Sequence, residues 1–194
     1  MTRNRVLLLL LSGLSACTTI GPDTEIYAHP IGLSAEAVDR LSVSQIVVQV
    51  PQNLTVSTDP NEQFPQVDIV WYEDPAGDRK EQVQAIVERG MRGAVAELVG
   101  PTKVEADVVV RRFHAVTPKA LNGSLPAWHD VTLDITLRDA NSGAVIAQIL
   151  GLTADSTALT QGQSEAALAH GQTQKSRIVA RIVLVVQQWL RSGN

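Results

Sequence analysis

Trp128-His-Asp-Val-Thr-Leu-Asp-Ile-Thr-Leu-Arg138 sets Val131, Leu133, Ile135 and Leu137 at alternate positions, against Asp130, Thr132, Asp134, Thr136 and Arg138. Successive side chains of a strand point to opposite faces, so this stretch has one buried and one wet face. A clean alternation of that kind belongs to an antiparallel sheet covered on one side only. Asp139-Ala-Asn-Ser-Gly143 supplies turn residues, with Gly143 suited to a positive φ, and Ala144–Leu150 returns as the second arm of a hairpin. Upstream, Asp107–Thr117 opens with three valines. Val43–Val50, stopped by Pro51, has the β-branched content of another strand, Asn53–Ser57 extends it, and Val67–Trp71 alternates well enough for a short one.

Two long helices flank these strands. Asp78 is an N-cap with Glu81 three residues on. Val83, Ile86, Val87, Met91, Ala94, Val95 and Leu98 then recur at the spacing of one helical face until Gly100-Pro101. A second helix runs from Thr173 to Arg191, with Ile178, Ile182, Val185, Val186 and Trp189 as its apolar stripe. A short helix over Ala35–Leu41 is capped by Ser34, and residues 151–171 read as an irregular crossover with an Ala-rich helical piece. The expected class is α+β: a mostly antiparallel sheet of about four to six strands covered by helices over about 78–99 and 173–191.

The chain has 194 residues, 44% hydrophobic and 19% charged, which suits one domain with a real core. Its 16 basic and 20 acidic side chains give a net −4, without the clustered positive charge of a nucleic-acid binder. The single cysteine excludes an intrachain disulfide and a Cys-type zinc site.

That cysteine has a particular context. Met1–Arg5 is basic, Val6–Leu11 is apolar, and small residues follow, the order of a secretory signal whose core is too short to span a bilayer. Leu14-Ser15-Ala16-Cys17 resembles the bacterial lipobox, in which the cysteine takes a diacylglycerol thioether and becomes the first mature residue. Thr18 stands where the inner-membrane retention signal of such lipoproteins has Asp, so the resemblance implies the outer membrane, periplasm-facing. Removing Arg3 and Arg5 leaves 14 basic against 20 acidic side chains, a formal −6. Such a body gains nothing from anionic headgroups, so acyl chains on Cys17 are the expected membrane contact. The expected layout is a signal peptide over 1–16, a lipidated N-terminus and tether over 17–33, and one periplasmic domain over 34–194.

The sequence shows no i, i+4 histidine pair, HExxH, GxSxG elbow, Walker loop or paired-carboxylate motif. No cofactor, metal or catalytic residue is assigned, and an enzyme is not expected. Six residues are candidates for binding. Arg111 and Arg112, with Lys119, suit either recognition of a carboxylate, phosphate or acidic polymer or a sheet edge kept soluble by charge. In a regular strand those two arginines point to opposite faces. His114 and His129 lie on adjacent expected strands and could meet. Trp71 and Asp74 belong to a corner before the first long helix, either an aromatic recognition patch or a packed helix entry.

Several stretches together, Val67–Arg79, Arg111–Lys119, His129-Asp130, Arg138–Gly143 and Gly171–Arg177, resemble a family of alphaproteobacterial lipoproteins of unassigned function, over most of the mature chain. More loosely, a helix followed by Ala106-Asp-Val-Val-Val110 and a hairpin with Asp139-Ala-x-x-Gly143 is similar to periplasmic lipoproteins with a mixed α/β domain. These resemblances imply a location and a fold and carry no catalytic residues. The expected role is a non-catalytic adaptor or envelope-assembly factor holding an envelope protein partner. A small-ligand or glycan-binding lipoprotein is the alternative, and a hydrolase the least supported.

Overall fold

The computed structural model describes residues 32–159 and 161–192. The Leu14–Cys17 segment, and the tether up to residue 31, lie outside the described residues. Along the chain come α1 (Ala35–Asp39), β1 (Leu41–Gln49), β2 (Ile69–Val70), α2 (Arg79–Val95), β3 (Thr102–His114), α3 (Pro118–Leu121), β4 (Trp128–Asp139), β5 (Val145–Thr153), β6 (Ser156–Thr157), α4 (Gln161–Ala169) and α5 (Gln174–Arg191). The fold is α+β, with one mixed sheet of order β1-β3-β4-β5; β2 adds to β3 and β6 to β4. β3, β4 and β5 are antiparallel neighbours, whereas β1 and β2 run parallel to β3. The parallel pairing follows from α2, which lies in the connection between β1 and β3; parallel neighbours need such a long crossover.

β4 delivers the two-faced strand its alternation implies. Val131, Leu133, Ile135 and Leu137 are buried beside Val104, Ala106, Val108, Val110 and Phe113 of β3. The covering layer is α2 and α5, which pack together, and α2 also meets β1. Met91 and Val87 of α2, and Ile178, Ile182 and Val186 of α5, join that single core. Each such buried aliphatic side chain stabilises the fold by roughly 1.5–3 kcal/mol relative to exposure. α2 starts where Asp78 accepts hydrogen bonds from the Lys80 and Glu81 amides at 2.8 and 3.2 Å.

The opposite sheet face is polar. Arg138 pairs with Asp107 at 3.0 Å, Arg111 with Asp134 at 2.7 Å and Arg112 with Asp130 at 2.6 Å. Thr136 accepts a hydrogen bond from Gln148 at 3.0 Å. Both arginines reach this face because β3 is not regular. Opposite the single step from Leu133 to Thr132, it takes two, Val110 to Arg112, so Arg111 is an extra, bulged residue. Sequence alternation alone puts them on opposite faces; the bulge overrides it. Among the described residues no helix is long and apolar enough to cross a membrane.

Candidate functional site

Five segments converge at one end of the sheet: the end of β2, the end of β3, the start of β4, β6 and the first turn of α5. The corner after β2 is built as a clamp on α5. The two carboxylate oxygens of Glu73 accept the Gln174 and Lys175 amides, each at 2.7 Å, and Thr173 Oγ1 accepts the Ser176 amide at 3.0 Å. Backbone donors otherwise unpaired at a helix start are thereby satisfied, with a negative charge at the positive end of the helix dipole. Asp74 accepts from Trp71 Nε1 at 2.9 Å and from Lys175 Nζ, and that ammonium also stands 5.8 Å from the centre of the Trp71 ring. Burial alone would raise the Asp74 carboxyl, but the hydrogen bonds from Lys175 and Trp71 outweigh it and hold it below its ordinary range. Trp71 is only 1% exposed and packs edge-on against Phe113. Trp71 and Asp74 are therefore the packed helix entry, not an open aromatic patch.

The two histidines do not meet. His129 lies on the inner face, fully buried, while His114 pairs with Asp130 in the register of the outer face. His129 Nε2 is 3.1 Å from Gln174 Oε1, and Nδ1 is 3.2 Å from Ser156 Oγ. Gln174 Oε1 also accepts the Val116 amide at 3.0 Å, so β4, α5 and the segment after β3 are joined through one side chain. Burial, and then the nearby Arg177 charge, push the His129 imidazole down to about 4, so it is neutral. A serine at hydrogen-bond distance from a histidine is also the geometry of a nucleophile and its base. Here neither residue lines the adjoining cavity.

His114 donates from Nε2 to the Val67 carbonyl, and its Nδ1 is 3.4 Å from Arg112. Burial first, and Arg112 next among the groups that lower it, hold its pKa below the ordinary value. The Arg112 Nε faces Asp130 as an ion pair too bent to be a directed hydrogen bond. Arg112 and His114 line a cleft of about 210 Å³, together with Gln63, Phe64 and Trp128. Phe64 and Trp128 are 58% and 60% exposed, so two open aromatic rings border this cleft. Arg111 and His129 are not among its lining residues. The candidates thus divide into an outer cleft (Arg112 and His114), an ion pair beside it (Arg111 with Asp134) and an inner hydrogen-bonded core (His129).

A second cavity, of about 270 Å³, lies on the helix side of the same end. Its walls are largely apolar, with Val116 before α3, Pro118 and Leu121 within it, Leu159 and Leu168, and its polar border includes Tyr72, Gln174 and Arg177. Residue periodicity gave no sign of it, because α3 and the segments around α4 meet there only in the folded chain. Among the described residues no group of three His, Cys, Asp or Glu side chains could hold a metal ion.

Residues 41–194 match the model of DUF6778, a family of unknown function, and the chain belongs to that family. No curated protein matches it. Among solved structures it is similar to the crystal structure of a "putative lipoprotein" from Caulobacter crescentus CB15. The identity is 18% and the TM-score 0.32, over 57% of this chain and 85% of that one.

Proposed function

We propose that this DUF6778 protein is a lipoprotein of the bacterial envelope, held at the outer membrane through acyl chains on Cys17 and facing the periplasm. Its domain acts as a non-catalytic adaptor or envelope-assembly factor. The observation that carries this reading is the direction of α5. Beside the C-terminal end of that helix, Val38 and Asp39 of α1, the first element of the described residues, border a small depression with Leu190 and Arg191. The cavity of about 270 Å³ borders the N-terminal turn, at Gln174 and Arg177. The 18 residues of α5, at about 1.5 Å each, separate these ends by about 27 Å. The described domain thus begins near one end of α5 and has this cavity at the other, which supports a partner met at the cavity end.

Cys17→Ser tests the anchor. The wild-type chain is expected to take up an acyl label and sediment with membranes, and the variant to lose both; a serine variant that stays in the membrane fraction at unchanged mobility contradicts it. For the adaptor role, affinity purification of tagged wild-type protein from solubilised envelopes should recover one stoichiometric envelope protein. Repeated recovery of the chain alone would remove that role.

The open rings of Phe64 and Trp128 beside Arg112 and His114 favour a second reading, a small acidic ligand or glycan held in the outer cleft. An acidic oligosaccharide panel would then bind wild type and not Trp128→Ala; equal signals from both would exclude the cleft.

A further inference from the structure

We infer that the cavity at the N-terminal end of α5 is a binding site for a single-chain amphiphile with an acidic headgroup, its chain between α3 and Leu168 and its head on Arg177. This inference goes beyond the adaptor reading and stands without it. The first observation is the lining. Apolar walls with a few polar groups at one border are the general make-up of a small-molecule site, and Val116, Pro118, Leu121 and Leu159 supply such walls here. Leu168 lines the cavity and is still 55% exposed, so an apolar surface reaches the rim. At about 270 Å³ the space is just under the roughly 300–1,000 Å³ of sites that engulf drug-sized ligands. It takes a short chain, or one end of a longer one.

The second observation is the charge at the border. Arg177 makes no ion pair among the described residues, and its Nε is buried without a hydrogen-bond partner. Every other nearby charge is occupied. Glu73 gives both oxygens to the Gln174 and Lys175 amides, Lys175 is paired with Asp74, and Arg79 donates to the Asp74 and Pro75 carbonyls and to Gln82. Of the charged side chains, Glu73 and Arg177 line the cavity, and the Glu73 carboxylate is held by the two α5 amides, which leaves Arg177 as the border charge without a hydrogen-bonded partner at Nε. Glu73 acts on the Arg177 guanidinium through its charge without forming an ion pair, so this partly desolvated group can still take an oxyanion through a two-pronged, charge-assisted contact. The border thus selects for an acid and the walls for an alkyl chain.

The test uses the full-length Cys17→Ser chain, which cannot be acylated and is purified without detergent. Calorimetric titration with decanoate below its micellar concentration should show saturable one-to-one binding. Decyltrimethylammonium, with the same chain and opposite charge, should bind at least about tenfold more weakly, and acetate, the headgroup alone, should not bind. Adding Arg177→Gln should weaken decanoate about tenfold and leave decyltrimethylammonium unchanged, while Leu168→Asp should weaken decanoate through the apolar wall; thermal melts establish that both variants are folded. Equal binding of the two amphiphiles, no binding of decanoate, or an Arg177→Gln chain that binds decanoate as before would each overturn the inference. None of these results bears on anchoring, which the fractionation of wild-type protein decides separately.

Discussion

The Nε2 atom of His129 and the side-chain oxygen of Gln174 stand 3.1 Å apart, and the same oxygen accepts the Val116 amide at 3.0 Å. An amide N–H can only donate, so the Gln174 atom is an acceptor and His129 carries its proton on Nε2. Its Nδ1 then accepts from the Ser156 hydroxyl. The folded chain holds this ring neutral, with its pKa lowered from 6.5 to about 4 by burial. Between those values the unfolded chain binds a proton that the folded one refuses, so stability is complete above about pH 6.5 and falls with pH to about 4. The shift corresponds to about 3 kcal/mol at most. Urea unfolding at pH 7, 6, 5 and 4.5 should show this decline. His114 is shifted in the same direction and adds to it. His129→Gln should be less stable at pH 7 yet lose most of the slope; an unchanged slope would place the titrating group elsewhere.

Glu73 offers a second test. Its carboxylate accepts two amides at the start of α5, so Glu73→Ala leaves both without that partner and removes a charge complementary to the helix dipole. A loss of about 1–2 kcal/mol in urea unfolding is expected, by analogy with N-cap removal. Glu73→Gln, which keeps one acceptor, should lose less.

How much of this was legible in the sequence depends on whether a feature is local. The β4 alternation, the Asp78 cap and the two apolar helical stripes are local to their own segments, and each appears in the fold within a few residues of its expected bounds. Expected to reach residue 99, α2 stops at Val95; beyond it Val99 bridges to Ser42 and the Gly100 amide donates to the Leu41 carbonyl at 2.7 Å, so this stretch pairs with β1 instead of continuing the helix. β3 begins earlier than the valine run suggests, at Thr102, because β1 offers it a parallel partner from Leu41 onward. The site was less legible. Whether His114 and His129 meet depends on strand register, and whether Arg111 and Arg112 share a face depends on a bulge; neither leaves a periodic trace. The Glu73 cap joins residues about a hundred positions apart.

The outer-face ion pairs should matter little to stability. Arg111 is 60% exposed in its pair with Asp134, and Arg112 and Asp130 are 40% and 42% exposed in theirs. Exposed pairs of this kind contribute about 0–1 kcal/mol, and salt screens them. Arg111→Ala and Arg112→Ala should each shift the urea midpoint only slightly, and less in 0.5 M salt. A larger loss for Arg112→Ala would show that it also holds the His114 side of the cleft in place.

Two glycines on α2 separate local propensity from packing. A side chain at Gly90 would put its Cβ 2.7 Å from Cγ2 and 2.9 Å from Cβ of Ile182 on α5, and at Gly93 it would meet only Cγ2 of Val183, at 2.9 Å. Replacing either glycine by alanine gains about 1 kcal/mol of helix propensity. At Gly93 the obstacle is one terminal methyl group that a small shift clears, so Gly93→Ala should be neutral or stabilising. At Gly90 the obstacle includes a branched carbon fixed to a fully buried side chain, so the helices must move apart. Overpacking of that kind costs about 1–3 kcal/mol, which exceeds the propensity gain. Gly90→Ala should therefore lower stability by about 1 kcal/mol. Pairing it with Ile182→Val, which leaves the branched carbon in place, should restore little, whereas Ile182→Ala should remove the added cost of the Gly90 change. A double-mutant cycle on urea midpoints reads that coupling directly. If the two substitutions prove additive, α2 and α5 do not approach as closely at Gly90 as the packing requires.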